Sequence, residues 1–446
     1  MNTQKSIVTV TKRKLDPRFN VIIVFFFIFT VSAEFNFNFL ICLGLTVAML
    51  VFCIRHNMVL RLNTVGKAFF IMFLAMLASL RGNSDSSVTF WLYWIIGLLL
   101  ALCWDYGKRS YDYDINKISR GWVFLGGIGV IVVFLSKLSA NFYLNTLGKI
   151  ISDTTRQYNI QLLSDGYSAS ICRGITYTCY FLAIAMFFVL CGTHTKRTKI
   201  ISTIIFAVAL IATGRRSETV AAIAAVLAYF SYSVNRKKKS MRKLQVIIGL
   251  AIVASLLYLF WPWLSTLTVF YRYTRTLTRY RSGMDITSGR IEIYKIAWRQ
   301  FMEHPVFGVG WSALKNYVAG FNVSNAHDVY LQLLCETGVV GTALILPAYI
   351  ITLVKSIKIL NAYAAKKITD NARQLCMFSL MLQVFFLVTG IFDNPIYKPV
   401  IGMFYSLIII CVNYADKELK RVKLCEMKNT VDLIAAGRVE QDGTAG

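Results

Sequence analysis

Charged residues are scarce in this chain of 446 residues, where Asp, Glu, Lys and Arg together make up 16% and hydrophobic residues make up 56%. Soluble domains average about 25% charged residues. Apolar runs recur from Val21 to Val412, and a run of about 18 apolar residues is long enough to cross a bilayer core. The composition therefore excludes a soluble globular protein and predicts an all-α, multi-spanning membrane protein.

The sequence also lacks a cysteine framework, a metal motif and a signal peptide. Six of its ten cysteines lie in apolar runs, where cysteine behaves as a small hydrophobic residue. No Cys/His spacing indicates a metal site. Residues 1–18 are polar and basic, and the apolar run that follows has no cleavage pattern. We therefore expect no metal and no cofactor, and we expect the first apolar run to be a retained membrane helix.

The apolar runs predict twelve membrane helices, with one large segment between helices 9 and 10. Their predicted limits are 20–35, 37–54, 66–81, 88–104, 121–139, 175–193, 199–214, 217–233, 244–261, 337–356, 374–392 and 397–413. The resulting division is a cytoplasmic N-terminus (1–19), helices 1–9 (20–261), a periplasmic catalytic segment (262–336), helices 10–12 (337–413) and a cytoplasmic tail (414–446).

The basic residues predict the orientation of these helices. With the N-terminus inside, the inner segments carry 32 of the 48 Lys and Arg residues and the outer segments carry 15. Lys and Arg concentrate on the cytoplasmic side of membrane proteins, which favours this orientation. The net charge of +26 is mostly topological in origin and does not indicate a nucleic-acid partner.

Two outer segments carry basic residues against this trend. Arg215 and Arg216 occupy a tight turn between two helices, and residues 262–336 contain eight Lys and Arg residues. Within that segment Arg272, Arg275 and Arg279 are spaced to share one helix face. Guanidinium groups bind phosphate oxygens through paired hydrogen bonds. These arginines therefore favour an anionic ligand on the outer face, although lipid head groups or a solvated face account for each of them equally well.

A second amphipathic helix is predicted after Ser288, ending at Pro305, and we expect it to lie near the outer membrane surface. Two histidines, His304 and His327, fall on the outer side. Neutral imidazole can accept a proton from an alcohol, so a sugar hydroxyl is a plausible partner. Asp328 is adjacent to His327, but neighbouring side chains on a helix do not face each other, so the pair alone is weak evidence for a catalytic dyad.

The outer segment contains a series of motifs: Ser288-Gly289-Arg290, Trp298, His304-Pro305-Val306-Phe307-Gly308-Val309-Gly310, His327-Asp328-Val329-Tyr330-Leu331-Gln332 and Glu336-Thr337-Gly338-Val339-Val340-Gly341. The outward turn reads Thr213-Gly214-Arg215-Arg216-Ser217. Together with the number of helices, these motifs resemble the core of the O-antigen ligase and polymerase superfamily. One departure is Asp328, where the family usually has Asn.

The resemblance implies an enzyme of the bacterial inner membrane with its active site facing the periplasm. Such enzymes transfer a glycan from undecaprenyl diphosphate to an acceptor hydroxyl, in a reaction that resembles metal-independent, inverting glycosyl transfer. Carried onto this chain, His327 would activate the acceptor, Arg216 with Arg215 would hold the diphosphate, and Arg290 would assist the donor. The implied partners are the lipid-linked glycan, an acceptor glycan (a lipid-linked repeat or lipid A core) and membrane lipid, and a chain-length regulator is a further candidate.

Three functions remain open at this point. Lipid A core ligases similar to this segment have a longer insertion between Gly310 and His327, so the short stretch here slightly favours a polymerase of O-antigen or capsule over an O-antigen ligase. A transporter or flippase of lipid-linked sugars would carry charged residues near the membrane midplane. Lys137, inside a predicted helix, is the main residue of that kind.

Overall fold

A computed structural model describes most of the chain between residues 63 and 435. The described ranges are 63–80, 88–104, 113–149, 153–170, 174–232, 261–267, 270–283, 289–318, 325–363 and 368–435, together with residues 18–20, 22, 23, 44, 47, 48, 51, 54, 55, 59, 60, 151, 255, 258 and 259.

Helices dominate these residues. In chain order they are α1 (Thr64–Ala78), α2 (Val88–Leu102), α3 (Ile115–Leu138), α4 (Ala140–Asn145), α5 (Asp153–Ser164), α6 (Ile175–Cys191), α7 (Lys196–Ala212), α8 (Arg216–Tyr232), α9 (Trp261–Leu264), α10 (Tyr271–Arg281), α11 (Arg290–Glu303), α12 (Leu314–Tyr317), α13 (Val329–Tyr363), α14 (Asp370–Gly390) and α15 (Pro399–Ala435). Short 3-10 turns cover Leu147–Lys149 and Pro395–Tyr397. Strands β1 (Val59–Leu60) and β2 (Cys103–Trp104) form one antiparallel pair with Val59 opposite Trp104.

The predicted all-α class is confirmed for the described residues, apart from this two-residue ladder. The predicted helices over 20–35, 37–54 and 244–261 lie largely outside the described residues. The other nine predicted helices each correspond to an observed one. The number of twelve spans and the periplasmic position of residues 262–336 stay predictions.

α13 and α15 extend well beyond the apolar runs that predicted them. α13 begins at Val329, and Gly338 interrupts its helical geometry with φ 63° and ψ −170°, close to the predicted start at 337. α15 continues past residue 413 to Ala435. The extension is polar, and an ion pair between Asp416 and Lys420, one turn apart at 2.9 Å, supports it. The polar extension of α15 has no apolar run that could predict it.

Three described helices are long and apolar enough to cross a membrane: Ile115–Leu138, Val329–Ala362 and Asp370–Gly390. Thr64–Ala78 and Ile175–Cys191 are shorter apolar helices. These helices fit a multi-pass membrane protein.

α6 forms the centre of the bundle. Every one of its residues except Tyr177 is buried, as expected for a helix that is apolar on all sides. It packs against α3, α7 and α14. A Cβ atom at Gly126 of α3 would lie 2.4 Å from Cβ of Ala185, so the glycine permits the close approach of α3 to α6. The start of α6, the turn between α7 and α8 and the turn between α14 and α15 meet at one end of the bundle.

Candidate active site

The turn between α7 and α8 places two consecutive arginines at this end of the bundle. Thr213 follows the last residue of α7, and Gly214 has a φ of 79°, a left-handed conformation that favours glycine. The Thr213 hydroxyl accepts a hydrogen bond from the Arg215 amide at 3.2 Å. α8 then starts at Arg216, so the two arginine side chains leave the turn in different directions.

Arg215 is held between two buried carboxylates. Its Nε and Nη2 donate to Oε1 of Glu218 at 3.0 and 2.7 Å, and its Nη2 donates to Oδ2 of Asp393 at 3.1 Å. The Arg215 side chain is 19% exposed, whereas those of Glu218 and Asp393 are 0% and 2% exposed. Burial lowers the pKa of Arg215, but the two carboxylates raise it by a larger amount, so the pKa lies well above its usual value. Arg215 is therefore permanently charged, and protein groups already balance its charge.

Arg216 is exposed and faces an open cleft. Its Nη1 donates to the Thr276 hydroxyl of α10 at 2.9 Å. The cleft has a volume of about 650 Å³, which includes space open to solvent, and is lined by Tyr167, Gly214, Arg215, Arg216, Ser217, Val220, Arg290 and Phe392. Three of the arginines expected at a donor site therefore line the same cavity.

Arg290 reaches this cleft from the first residue of α11. It follows Gly289, whose φ of 80° turns the chain into the helix. Its Nη1 donates to the Phe392 carbonyl at 3.3 Å, which links α11 to the turn after α14. Arg290 is thus brought to Arg216 by packing of elements that are far apart in the chain.

The turn between α14 and α15 contributes Asp393, a residue that the sequence analysis did not select. Besides Arg215, its carboxylate contacts the Lys398 ammonium, and Oδ1 lies 3.6 Å from Nδ1 of His327. Burial raises the pKa of Asp393, but Lys398, His327 and Arg215 outweigh that effect and hold the pKa well below its usual value. Asp393 is therefore a stable anion at the junction of three basic side chains.

His327 precedes α13 in a left-handed conformation, with a φ of 52°. Such a conformation costs on the order of 1–3 kcal/mol in a residue other than glycine and is often found at functional sites. The His327 amide donates to Oδ1 of Asn325 at 3.1 Å, which supports the turn. The His327 side chain is 23% exposed and its ring lies beside Asp393. Asp393 directly follows Phe392, one of the residues that line the cleft.

Asp328 caps a helix and is not the partner of the His327 imidazole. Its Oδ1 accepts hydrogen bonds from the amides of Tyr330 and Leu331, both at 3.0 Å. The carboxylate therefore caps the N-terminus of α13. The acidic neighbour of the His327 ring is Asp393, which lies 66 residues further along the sequence.

The remaining predicted arginines lie on α10. Arg275 and Arg279 are partly exposed, and neither is among the residues that line the cleft; the side chain of Arg272 lies outside the described residues. α10 contacts α8 through Tyr273, whose hydroxyl is 3.2 Å from that of Thr219, and through Thr276. The helix that carries these arginines thus borders the site, and a role in substrate binding stays a prediction.

The outward histidine at the end of α11, His304, is in a different environment. It is the residue that caps the C-terminus of α11, its amide donates to the Gln300 carbonyl at 3.0 Å, and its side chain is exposed. Its position at the end of the helix gives His304 a capping role.

Two of the motif segments interlock behind the site. The Val309 and Gly310 amides donate to the carbonyls of Cys335 and Glu336 at 3.0 and 2.8 Å, and the Val339 amide donates to the Pro305 carbonyl at 2.9 Å. Gly308 and Gly338 have φ values of 65° and 63°. A Cβ atom at either position would lie 2.4 Å from backbone atoms of the opposite segment. The glycines thus permit a backbone contact that joins the loop after α11 to α13.

Glu336 connects these two segments to the loop that carries Ser312 and to the turn that carries Tyr397. Its buried carboxylate accepts hydrogen bonds from the Ser312 amide at 2.7 Å, from Gln332 at 2.9 Å and from the Tyr397 hydroxyl at 2.6 Å. The Gln332 side-chain oxygen in turn accepts from the Ala326 amide at 3.0 Å. One buried network therefore connects the segment that carries His327 to the turn that carries Asp393.

The position of Asp393 in the sequence gives some indication that it belongs to the site. It is an acidic residue in a short turn between two apolar helices, on the side that the charge distribution predicts to be outer, and Lys398 occupies the same turn. Charged residues in short turns of membrane proteins are common, however, so only the spatial proximity to His327 and Arg215 identifies it.

Residues 201–346, about a third of the chain, match the family described as O-antigen ligase. The matched stretch contains the arginine turn, α10, Arg290 and His327, whereas Asp393 and Lys398 lie beyond it. Among curated proteins, none matches the chain. The match confirms the resemblance to the O-antigen ligase and polymerase superfamily and supports activity of the ligase or polymerase type.

Proposed function

Because residues 201–346 carry the O-antigen ligase match, we propose that this protein transfers a glycan from undecaprenyl diphosphate to a sugar hydroxyl during assembly of a surface polysaccharide. The observation that carries the proposal is the convergence of Arg216 and Arg290 on one cleft, next to His327 paired with Asp393. The cleft supplies positive charge for a diphosphate, and the pair supplies a base for an alcohol.

In this proposal the donor diphosphate binds to the exposed guanidinium groups of Arg216 and Arg290. As the bond between the anomeric carbon and the diphosphate oxygen breaks, the leaving diphosphate takes the electron pair. Cationic donors fixed in the cleft stabilise the negative charge that develops on it. Arg215 contributes less directly, because Glu218 and Asp393 already balance its charge.

His327 accepts the proton of the acceptor hydroxyl while the oxygen attacks the anomeric carbon. With Nδ1 directed towards Asp393, the other ring nitrogen is available to the acceptor, and the buried carboxylate stabilises the imidazolium that forms. Attack on the face opposite to the diphosphate inverts the anomeric configuration. The proton then leaves His327 for solvent, which restores the base.

Transfer from purified lipid-linked glycan tests this proposal. The intact protein should release undecaprenyl diphosphate and extend or attach the glycan, and the Arg216→Ala and His327→Ala variants should do so at least about 100-fold more slowly. Normal transfer by both variants, at wild-type amounts of folded protein, would refute it.

The short stretch between Gly310 and His327 favours a polymerase slightly over a ligase. Deletion of the gene followed by gel electrophoresis of surface polysaccharide separates the two activities. Core with a single repeat would identify a lost polymerase. Bare core, with polymer still attached to the lipid carrier, would identify a lost ligase.

The transporter alternative depended on Lys137 as a charge within the membrane. Lys137 lies in the last turn of α3, and its ammonium donates to the Gly166 carbonyl at 2.8 Å. A cation that binds a loop carbonyl at a helix end is not a substrate site at the midplane. This contact favours the transferase.

The site is proposed to face the periplasm from the inner membrane, with residues 234–243 and 414–446 in the cytoplasm. The excess of Lys and Arg in the inner segments supports this orientation. A cysteine placed at Ser282 should react with an impermeant reagent added outside, and one placed at Ser240 should not. The reverse pattern would overturn the orientation.

A further inference from the structure

A second polar pocket lies at the opposite end of the bundle from the arginine cleft. It has a volume of about 310 Å³, which includes space open to solvent, and is lined by Cys191, Lys199, Tyr229, Arg373, Gln374 and Met377. Arg373 lies in the first turn of α14, whereas Asp393 follows the last turn of the same helix. At 1.5 Å per residue, roughly 25 Å along α14 separates the two sites. The pocket is therefore independent of the proposed active site.

The pocket has an unusual charge distribution. Lys199 and Arg373 are close enough to influence each other electrostatically, and none of the described residues that line the pocket is acidic. Two neighbouring cations repel each other, and partial burial strengthens the repulsion because solvent screens it less. An anion bound between them would remove this repulsion.

Both cations also lie at helix N-termini. Lys199 is the fourth residue of α7 and Arg373 is the fourth residue of α14. The helix dipole disfavours cations and favours anions at this end. The Leu190 carbonyl at the end of α6 accepts one hydrogen bond from Lys199 at 2.9 Å and one from the Tyr229 hydroxyl at 3.2 Å. An ammonium group has three donors, so this contact orients Lys199 without using its hydrogen-bonding capacity in full.

We propose that Lys199 and Arg373 bind a phosphate group at this end of the bundle. The planar guanidinium of Arg373 provides paired hydrogen bonds to phosphate oxygens, and the Lys199 ammonium provides a point charge. An anionic lipid and a soluble phosphate compound share this chemistry, and the experiment distinguishes them.

The test measures the melting temperature of the delipidated protein in detergent with four additions: phosphatidylglycerol, diacylglycerol with the same acyl chains, inorganic phosphate and none. A ligand that binds only the folded state raises the melting temperature. Phosphatidylglycerol should raise it and diacylglycerol should not. The Arg373→Gln and Lys199→Met variants should each lose most of this increase. Arg197→Gln is the matched control, because Arg197 is exposed, lies on the same helix and carries the same charge.

The pattern of melting temperatures distinguishes a lipid ligand from a soluble one. An increase with phosphatidylglycerol alone that depends on Arg373 assigns the site to a lipid, and the same increase with inorganic phosphate assigns it to a soluble phosphate. No increase in the wild type, or an equal increase in the wild type and both variants, overturns the proposal. If Arg373→Gln does not fold, Lys199→Met and the wild type still decide the question. The result does not depend on transfer activity, because the Arg216→Ala variant should respond as the wild type does.

Discussion

Replacing each of the two adjacent arginines by alanine should produce opposite results. Arg215 is a partner of the buried carboxylates of Glu218 and Asp393, whereas Arg216 is exposed in the cleft. Removal of one partner from a buried ion pair costs about 3–5 kcal/mol, because it leaves a buried charge uncompensated. We therefore expect Arg215→Ala to lower the free energy of unfolding by about 3 kcal/mol or more, with a clear fall in melting temperature and in the yield of protein.

Arg216→Ala should leave stability within about 0.5 kcal/mol of the wild type, as is usual for exposed side chains. Its transfer rate should fall by about 100-fold to 1,000-fold, the effect of removing one fixed donor to a developing negative charge. Arg216→Lys should recover only part of that loss, since an ammonium group cannot provide the paired hydrogen bonds of a guanidinium.

The assay measures transfer from purified lipid-linked glycan, together with the melting temperature of each variant in the same detergent. Arg299→Ala is the matched control, because Arg299 is exposed on α11, the helix that carries Arg290, and does not line the cleft. A stable but inactive Arg215→Ala variant together with an active Arg216→Ala variant would show that the assignment of the two arginines is reversed.

Three further predictions follow from the geometry of the site. His327→Ala should reduce transfer by at least about 100-fold, the lower end of the contribution of a general base, whereas His304→Ala should stay within a few-fold; the opposite ranking in the transfer assay would disprove the choice of base. Asp393→Asn should lower both the transfer rate and the melting temperature. Lys398, His327 and Arg215 depress the pKa of Asp393 against the effect of burial, so the stabilisation by its carboxylate is present above the unfolded-state pKa of about 4 and is lost as the pH falls below that value. Equal acid sensitivity of the wild type and the variant would contradict this account. Gly338→Ala should sharply reduce the amount of folded protein, since its Cβ atom would lie 2.4 Å from the Val306 backbone, and normal thermal stability in a melting experiment would contradict the tight contact.

The sequence alone predicted the nine apolar helices that correspond to observed ones, and it selected several residues of the candidate site. A helix satisfies its own backbone hydrogen bonds, so an apolar run long enough to cross a bilayer specifies a helix without reference to the rest of the chain. The breaks at Gly214 and Gly338 coincide with turns because glycine adopts positive φ values at little cost. Arg216, Arg290 and His327 were selected from residue type, from the motif resemblance and from the predicted side of the membrane, none of which requires knowledge of contacts between distant residues.

Tertiary structure decided which of these residues act together. Asp393 and Arg215 are 178 residues apart and meet only because α8 packs against α14. No local pattern indicates that contact, and the acidic residue next to His327 in sequence, Asp328, caps a helix instead. Arg215 and Arg216 are adjacent residues of the same type, but Arg215 belongs to the turn and Arg216 is the first residue of α8. The packing around the turn determines that Arg215 contacts the buried carboxylates of Glu218 and Asp393, whereas Arg216 is exposed in the cleft.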